Sequence, residues 1–195
     1  MSDALRRPAT YADLEAVPAH MVAEILDGEL VTHPRPSPPH AVAANALGAE
    51  LTGPFQRGRS GPGGWVFMVE PELHLGPHVI VPDIAGWRVD RLPALPATAW
   101  IETVPDWVCE ILSPSTARDD RGRKRRIYAT YGLAFLWLLD PIGRELEAFE
   151  LRDGKWTLLE TFSGDVNVDE PPFEAAPFAL ASLWPFGTGA AETPK

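Results

Sequence analysis

Two carboxylates stand where an ionised group is costly. Asp83 lies in the apolar run VIVPDIAGW, and Glu110 lies in WVCEIL. A charge inside such a run must be paired, hydrogen-bonded or metal-bound, because burying it alone is strongly unfavourable. Strand alternation puts Val108, Glu110 and Leu112 on one face and Trp107, Cys109 and Ile111 on the other. If the two strands are neighbours, Asp83 and Glu110 meet across the sheet. Adjoining carboxylates repel unless they share a proton or a cation. For oxygen donors that cation is Mg²⁺ or Mn²⁺. Spacing alone leaves a second account open, in which both acids sit at solvated strand ends. Lys124 is the third candidate. The chain has 14 Arg and only three Lys, and this one stands inside the arginine run RGRKRR. Arg stays charged, whereas Lys is a compact donor whose pKa burial can tune. By composition alone, a lysine on a solvated helix face is the simpler account.

The elements that must carry these residues are short. Gly and Pro number 16 and 21, almost a fifth of the chain, which argues against a helical bundle. TYADLEAVP (10–18) predicts a short helix with Thr10 as N-cap. EILDGELV (24–31) predicts a hairpin about Asp27-Gly28, since both turn residues must accept positive φ. PPHAVAANALGAELTGPF (38–55) has helical spacing and is expected to stop at Gly53-Pro54. GWVFMVEPEL (64–73) and HVIVPDIAGW (78–87) each read as a strand, the second with a bulge or an end at its proline. DWVCEIL (106–112) is another. A helix over 121–132, with Ser115 or Thr116 as N-cap upstream, ends at Gly132. AFLWLLD (134–140) reads as a strand covered on both faces. ELEAFEL and KWTLLETF form a hairpin about Asp153-Gly154, and the tail from Pro171 reads as low in regular structure. The order predicts an α/β or α+β fold with a mixed sheet. No G-x-G-x-x-G and no phosphate-binding P-loop occurs.

Length and charge narrow the classes. With 195 residues the expectation is one domain, 1–195. One cysteine excludes a disulfide framework and a thiolate zinc cluster, and a reducing, cytoplasmic setting is expected. No apolar run approaches the ~20 residues of a membrane helix, and the start lacks the apolar segment of a secretory signal. Lys plus Arg is 17 against 27 Asp plus Glu, a net charge of −10. That average argues against a polyanion partner, because phosphate neutralisation supplies most non-specific nucleic-acid affinity. The basic charge is concentrated, however. RDDRGRKRR (118–126) carries six basic and two acidic residues.

The strings EILDGEL, PSPPHAVAANAL, VPDIAGW, DWVCEILSPST and RGRKRRIYATYGLAFLWLLDP resemble the Uma-type family of the PD-(D/E)XK nuclease superfamily, over about Tyr11 to Phe186. EILSPST with the charged helix after it is the most specific piece. Residue by residue, Pro82-Asp83 matches the family's "PD" and Glu110 its second acid. The superfamily places a lysine two residues after that acid, where this chain has Leu112; in Uma-type sequences it comes from the following helix, at the place of Lys124. Glu24 matches a recurrent acidic position, as a further residue of the metal site or simply a hairpin residue. The resemblance implies a restriction-endonuclease-like core, a mixed sheet flanked by helices with a hairpin near each end, its central part spanning about residues 11–186. It implies Mg²⁺- or Mn²⁺-dependent hydrolysis of DNA phosphodiesters. Asp83, Glu110 and the Ile111 carbonyl would hold the ion, and Lys124 would orient water or neutralise developing charge. Arg121, Arg123, Arg125 and Arg126 would grip flanking phosphates, two or three of them at once. A homodimer is expected of a small nuclease that cuts both strands.

Other residues are expected to be structural. His40 has two readings, a residue that reaches the site and, the simpler one, a capping or surface residue; Cys109 reads as a buried small hydrophobe, Ser113 and Ser115 as turn and cap residues, and Trp87, Trp107 and Trp137 as core. The net charge and Leu112 favour a competing function, a catalytically degenerate module of the same fold that binds nucleic acid or protein. A phosphoesterase acting on a small anion is a third.

Overall fold

A computed structural model describes residues 7–184. Helix α1 (Tyr11–Glu15) starts at Thr10, whose backbone N–H and hydroxyl both donate to the Asp13 carboxylate. Strands β1 (Met21–Leu26) and β2 (Glu29–Pro34) form the predicted hairpin. Asp27 and Gly28 take φ of 53° and 79°, the left-handed values such a two-residue turn demands. Helix α2 (Pro38–Leu51) does not stop at Gly53-Pro54. It widens into a π-helical turn over Thr52–Gln56, closed by Arg57 N–H donating to Thr52 O. Pro54 brings no N–H of its own, and the wider turn carries the chain past it.

The two long strands expected over 64–73 and 78–87 are four. They are β3 (Trp65–Val69), β4 (Glu72–Leu75), β5 (His78–Ile80) and β6 (Ile84–Arg88). The breaks fall at Glu70-Pro71 and Val81-Pro82-Asp83. A proline cannot donate to a ladder, and at each break the chain leaves one sheet for another. With β7 (Trp100–Ile101), β8 (Trp107–Ile111), β9 (Phe135–Asp140), β10 (Glu145–Arg152) and β11 (Lys155–Ser163), the strands form two main sheets. One has the order β2-β1-β5-β4-β7; the other has the order β11-β10-β9-β8-β6-β3. The second is mixed, with β8 parallel to β9 and its other pairs antiparallel.

The helix after β8 starts earlier than residue 121. It runs through α3 (Ala117–Asp119), a π-helical turn (Asp120–Lys124) and α4 (Arg125–Thr130), with Thr116 at its N-cap and Gly132 at φ 74° beyond its end. The six-stranded sheet is covered on both faces. α2 packs Ala43, Leu47 and Leu51 onto Trp107, Cys109, Ile111 and Trp137. The opposite face, with Val108, Leu112 and Leu136, meets Ile127 and Tyr128 of α4 and Leu26, Leu73 and Ile80 of the five-stranded sheet.

The stretch from Pro171 is more ordered than its composition suggests. β12 (Asn167–Val168) pairs with β13 (Phe178–Ala179), and a 3₁₀ turn follows at Leu180–Leu183. Phe173 is buried among Phe55, Trp65, Phe67, Trp107 and Trp137, with ring centroids 4.8–5.6 Å away. One apolar ring therefore organises a segment that has little periodicity.

Two core tryptophans differ in one respect. The Trp137 indole N–H donates to Pro171 O at 3.2 Å, whereas that of Trp107 has no partner. Trp137→Phe should therefore cost about 1 kcal/mol more than Trp107→Phe, because only the former strands an acceptor. Equilibrium urea unfolding of the two variants measures the difference.

Candidate active site at the seam of the sheets

The crossings at Glu70-Pro71 and Val81-Pro82-Asp83 lie side by side, joined by Glu70 N–H donating to Asp83 O at 3.0 Å. Asp83 thus enters β6 directly from the seam. β6 and β8 are antiparallel neighbours with Ile84 opposite Cys109, which brings Asp83 alongside Glu110. Asp83 Oδ2 accepts the Ile111 N–H at 2.6 Å, and Oδ1 lies 3.0 Å from His40 Nε2. The Glu110 side chain is 1% exposed, with Oε1 accepting from the Tyr128 hydroxyl at 2.5 Å and Oε2 3.3 Å from Lys124 Nζ. Lys124 Nζ also lies 3.0 Å from Glu24 Oε1 and 3.4 Å from both Asp120 Oδ1 and Val81 O. Glu24 Oε1 accepts the Val81 N–H at 2.8 Å, and Oε2 stands 3.6 Å from His33 Nε2.

Lys124 is therefore not on a solvated face. Its ammonium is buried among Glu24 of β1, Glu110 of β8 and Asp120 of its own helix. Burial pushes the Glu110 carboxyl well above the ordinary value; Lys124 opposes this, and Asp120, Asp83 and Glu24 add to it. Burial also raises Asp120, with Lys124 and a hydrogen bond from the Thr116 side chain opposing and Asp83 and Glu24 reinforcing. Burial acts to raise Glu24 too, but Lys124, His33 and the Val81 N–H outweigh it and hold that carboxyl below its usual value. Desolvation works to lower Lys124, and the carboxylates of Glu110, Glu24 and Asp120 override it. The ammonium is favoured in its charged form, and the titration of the crowded acids belongs to the cluster rather than to one member.

His40, Asp83, Glu110, Asp120 and Lys124 line one cavity of about 200 Å³, together with Ser113. Glu24 is both a hairpin residue, opposite Val31, and a member of this cluster. Ile111 gives its N–H to Asp83 and its side chain to the core. Leu112 is core as well, so the missing lysine at that position reflects an apolar environment. The arginines lie elsewhere. Arg121 Nη1 is 2.5 Å from Glu147, and Arg123 meets Asp119 and Glu29 at 2.7 and 2.6 Å. Arg126 pairs with Asp27, and the Arg125 guanidinium stacks on Phe149 at 4.4 Å. None of the four lines the cavity.

For His40 the structure corrects the simpler of the two readings, a capping or surface residue. It is 7% exposed and faces Asp83. Its signal was the spacing 40, 43, 47, 51, which places it on the buried stripe of α2. Asp120 and Tyr128 were not singled out as site residues. They stand four residues either side of Lys124, on one helix face, inside what reads as a charge run.

Among the described residues, no three His, Cys, Asp or Glu side chains are arranged to hold a metal ion as they stand. The donor set nonetheless suits a hard divalent cation. It is built of carboxylates, it holds more negative than positive charge, and the buried Asp120 Oδ2 has no hydrogen-bond partner.

Comparison with known proteins fixes the lineage. Residues 8–181 match the model of the Uma2 family, described as "Putative restriction endonuclease". The chain belongs to the Uma2 family. Among solved structures, this Uma2 chain is similar to a putative nuclease belonging to DUF820 from Anabaena variabilis ATCC 29413. The TM-score is 0.73 at 20% identity, over 90% of this chain and 97% of that one. At that identity the likeness speaks for the fold, which is the mixed α+β, nuclease-like architecture expected. No curated protein matches.

Lys124→Met leaves three buried carboxylates without their cation, which should cost roughly 3–5 kcal/mol near pH 8. The loss should shrink towards pH 5. Acids whose folded pKa is raised contribute stability that is fully present below the ordinary carboxylate range and lost as pH rises through the folded value. Urea unfolding at both pH values should show a steeper pH dependence in the variant than in the wild type.

Proposed function

We propose that this Uma2 protein is a metal-dependent endonuclease that hydrolyses phosphodiester bonds in DNA. The observation that carries this is the 3.3 Å approach of Lys124, from the helix, to Glu110, in the cavity that Asp83 also lines. Two acids and a lysine meet there although residue 112 is leucine. Asp83 and Glu110, with the Ile111 carbonyl, would hold the ion. Mg²⁺ or Mn²⁺ bound there supplies a polarised phosphate and a water of lowered pKa.

The chain's own groups do the remainder. Lys124 holds a fixed positive charge beside the position where the phosphate gains negative charge. Tyr128 fixes one oxygen of Glu110, and His40 fixes one of Asp83, so both acids present defined lone pairs. Arg35 lines the cavity with a side chain 56% exposed, and it would reach a flanking phosphate by leaving its 3.4 Å contact with Glu70.

The test is cleavage of supercoiled and linear DNA with Mg²⁺ or Mn²⁺. Asp83→Ala and Glu110→Gln should each lower the rate on the order of 10³-fold, the scale of losing a group that stabilises transition-state charge. Cleavage that persists in Asp83→Ala, or that never requires a metal, overturns the assignment. Absent cleavage with DNA binding intact would instead favour the degenerate module.

A further inference from the structure

The least satisfied charged group in the cavity is Asp120. It is 2% exposed, it lines the cavity, and its Oδ2 has no hydrogen-bond partner. Its Oδ1 is only 3.4 Å from Lys124 Nζ, which is shared with Glu24 and Glu110. A buried carboxylate oxygen without a donor is rare and costly, and it calls for an absent water or ion. Asp120 also opens the π-helical turn that ends at Lys124. Such turns interrupt a helix at some cost and recur at functional sites. This one carries an acid and its counter-ion to the same wall of the cavity.

We propose that Asp120 is a third carboxylate ligand of the divalent cation, its Oδ2 taking the coordination that no protein donor fills. The proposal rests on the metal-dependent reading of the Asp83–Glu110 site. The ligand is a hard divalent ion because all three side-chain donors are carboxylate oxygens. A purely structural Asp120 would be expected to have both oxygens satisfied by the protein. A charge-tuning Asp120 would weaken ion binding when neutralised but leave the ion's bound waters unchanged. A ligand, once removed, is replaced on the ion by water.

The experiment is titration of Mn²⁺ into the full chain, by calorimetry and by water-proton relaxation, which counts the waters on the ion. Asp120→Asn should weaken binding about tenfold or more and add one bound water per ion. Asp119→Asn is the control, since Asp119 is paired with Arg123 and does not line the cavity. It should keep affinity within about twofold and leave the water count unchanged, as expected of an outlying charge screened by solvent. Without metal, the thermal unfolding of Asp120→Asn shows whether the variant folds. If that variant fails to fold, Asp120→Glu, which keeps the charge and displaces the oxygens, should show the same loss of affinity. Unchanged affinity, or weakened affinity with an unchanged water count, overturns the assignment of Asp120 while the Asp83–Glu110 site stands. A wild type that binds no Mn²⁺ overturns both.

Discussion

The rest of the structure hangs on one buried ammonium. Lys124 Nζ lies within 3.4 Å of Glu24, Glu110, Asp120 and the Val81 carbonyl. Those four groups come from β1, β8, the helix itself and the segment joining β5 to β6. Taking an ammonium out of water is strongly unfavourable, and only well-placed carboxylates offset it. The cation is thus tolerated only if all four elements are in place, and the acids only if the cation is. That mutual dependence registers the two sheets and the helix against one another at the point where chemistry is proposed.

The second constraint is how the chain changes sheets. Two of its crossings fall at Glu70-Pro71 and at Val81-Pro82-Asp83, and these two are hydrogen-bonded to each other. A crossing leaves backbone groups unpaired by either sheet, and side chains can use them. Glu24 accepts the Val81 N–H and Lys124 donates to the Val81 carbonyl, so polar side chains replace the missing ladder. The seam is consequently polar, partly open and surrounded by rigid strands, which is what a cavity built for charged chemistry requires.

These two constraints explain what the sequence could and could not disclose. The turns at Asp27-Gly28 and Asp153-Gly154 were legible because their chemistry is local. Glu110 was conspicuous because both faces of β8 are buried, each against a different core, so that one acid stands out in an apolar run. The division of 64–73 and 78–87 between two sheets was not. A proline marks a break in pairing without saying where the chain goes next. Lys124 was conspicuous by composition, yet its burial was hidden by the arginines beside it. In RDDRGRKRR nearly every residue is charged, so no apolar stripe marks the inward face. Only the spacing of Asp120, Lys124 and Tyr128 carries it. His40 was hidden for the opposite reason, as a polar residue at the head of an otherwise apolar stripe.

The charge distribution finally bears on how an acidic protein could act on a polyanion. The basic run does not offset the net charge at the site, because Arg121, Arg123 and Arg126 are held by Glu147, Glu29, Asp119 and Asp27. The cavity itself gathers Asp83, Glu110 and Asp120 around Lys124, with Glu24 behind it. A phosphate approaching that wall meets more negative than positive charge, and in a partly desolvated cavity the repulsion is poorly screened. A divalent cation held there reverses the local balance before substrate arrives. On this account the ion does more than activate water. It is what makes the site attractive to a phosphodiester at all, and substrate affinity should be inseparable from metal occupancy in a way that a basic nuclease surface would not require.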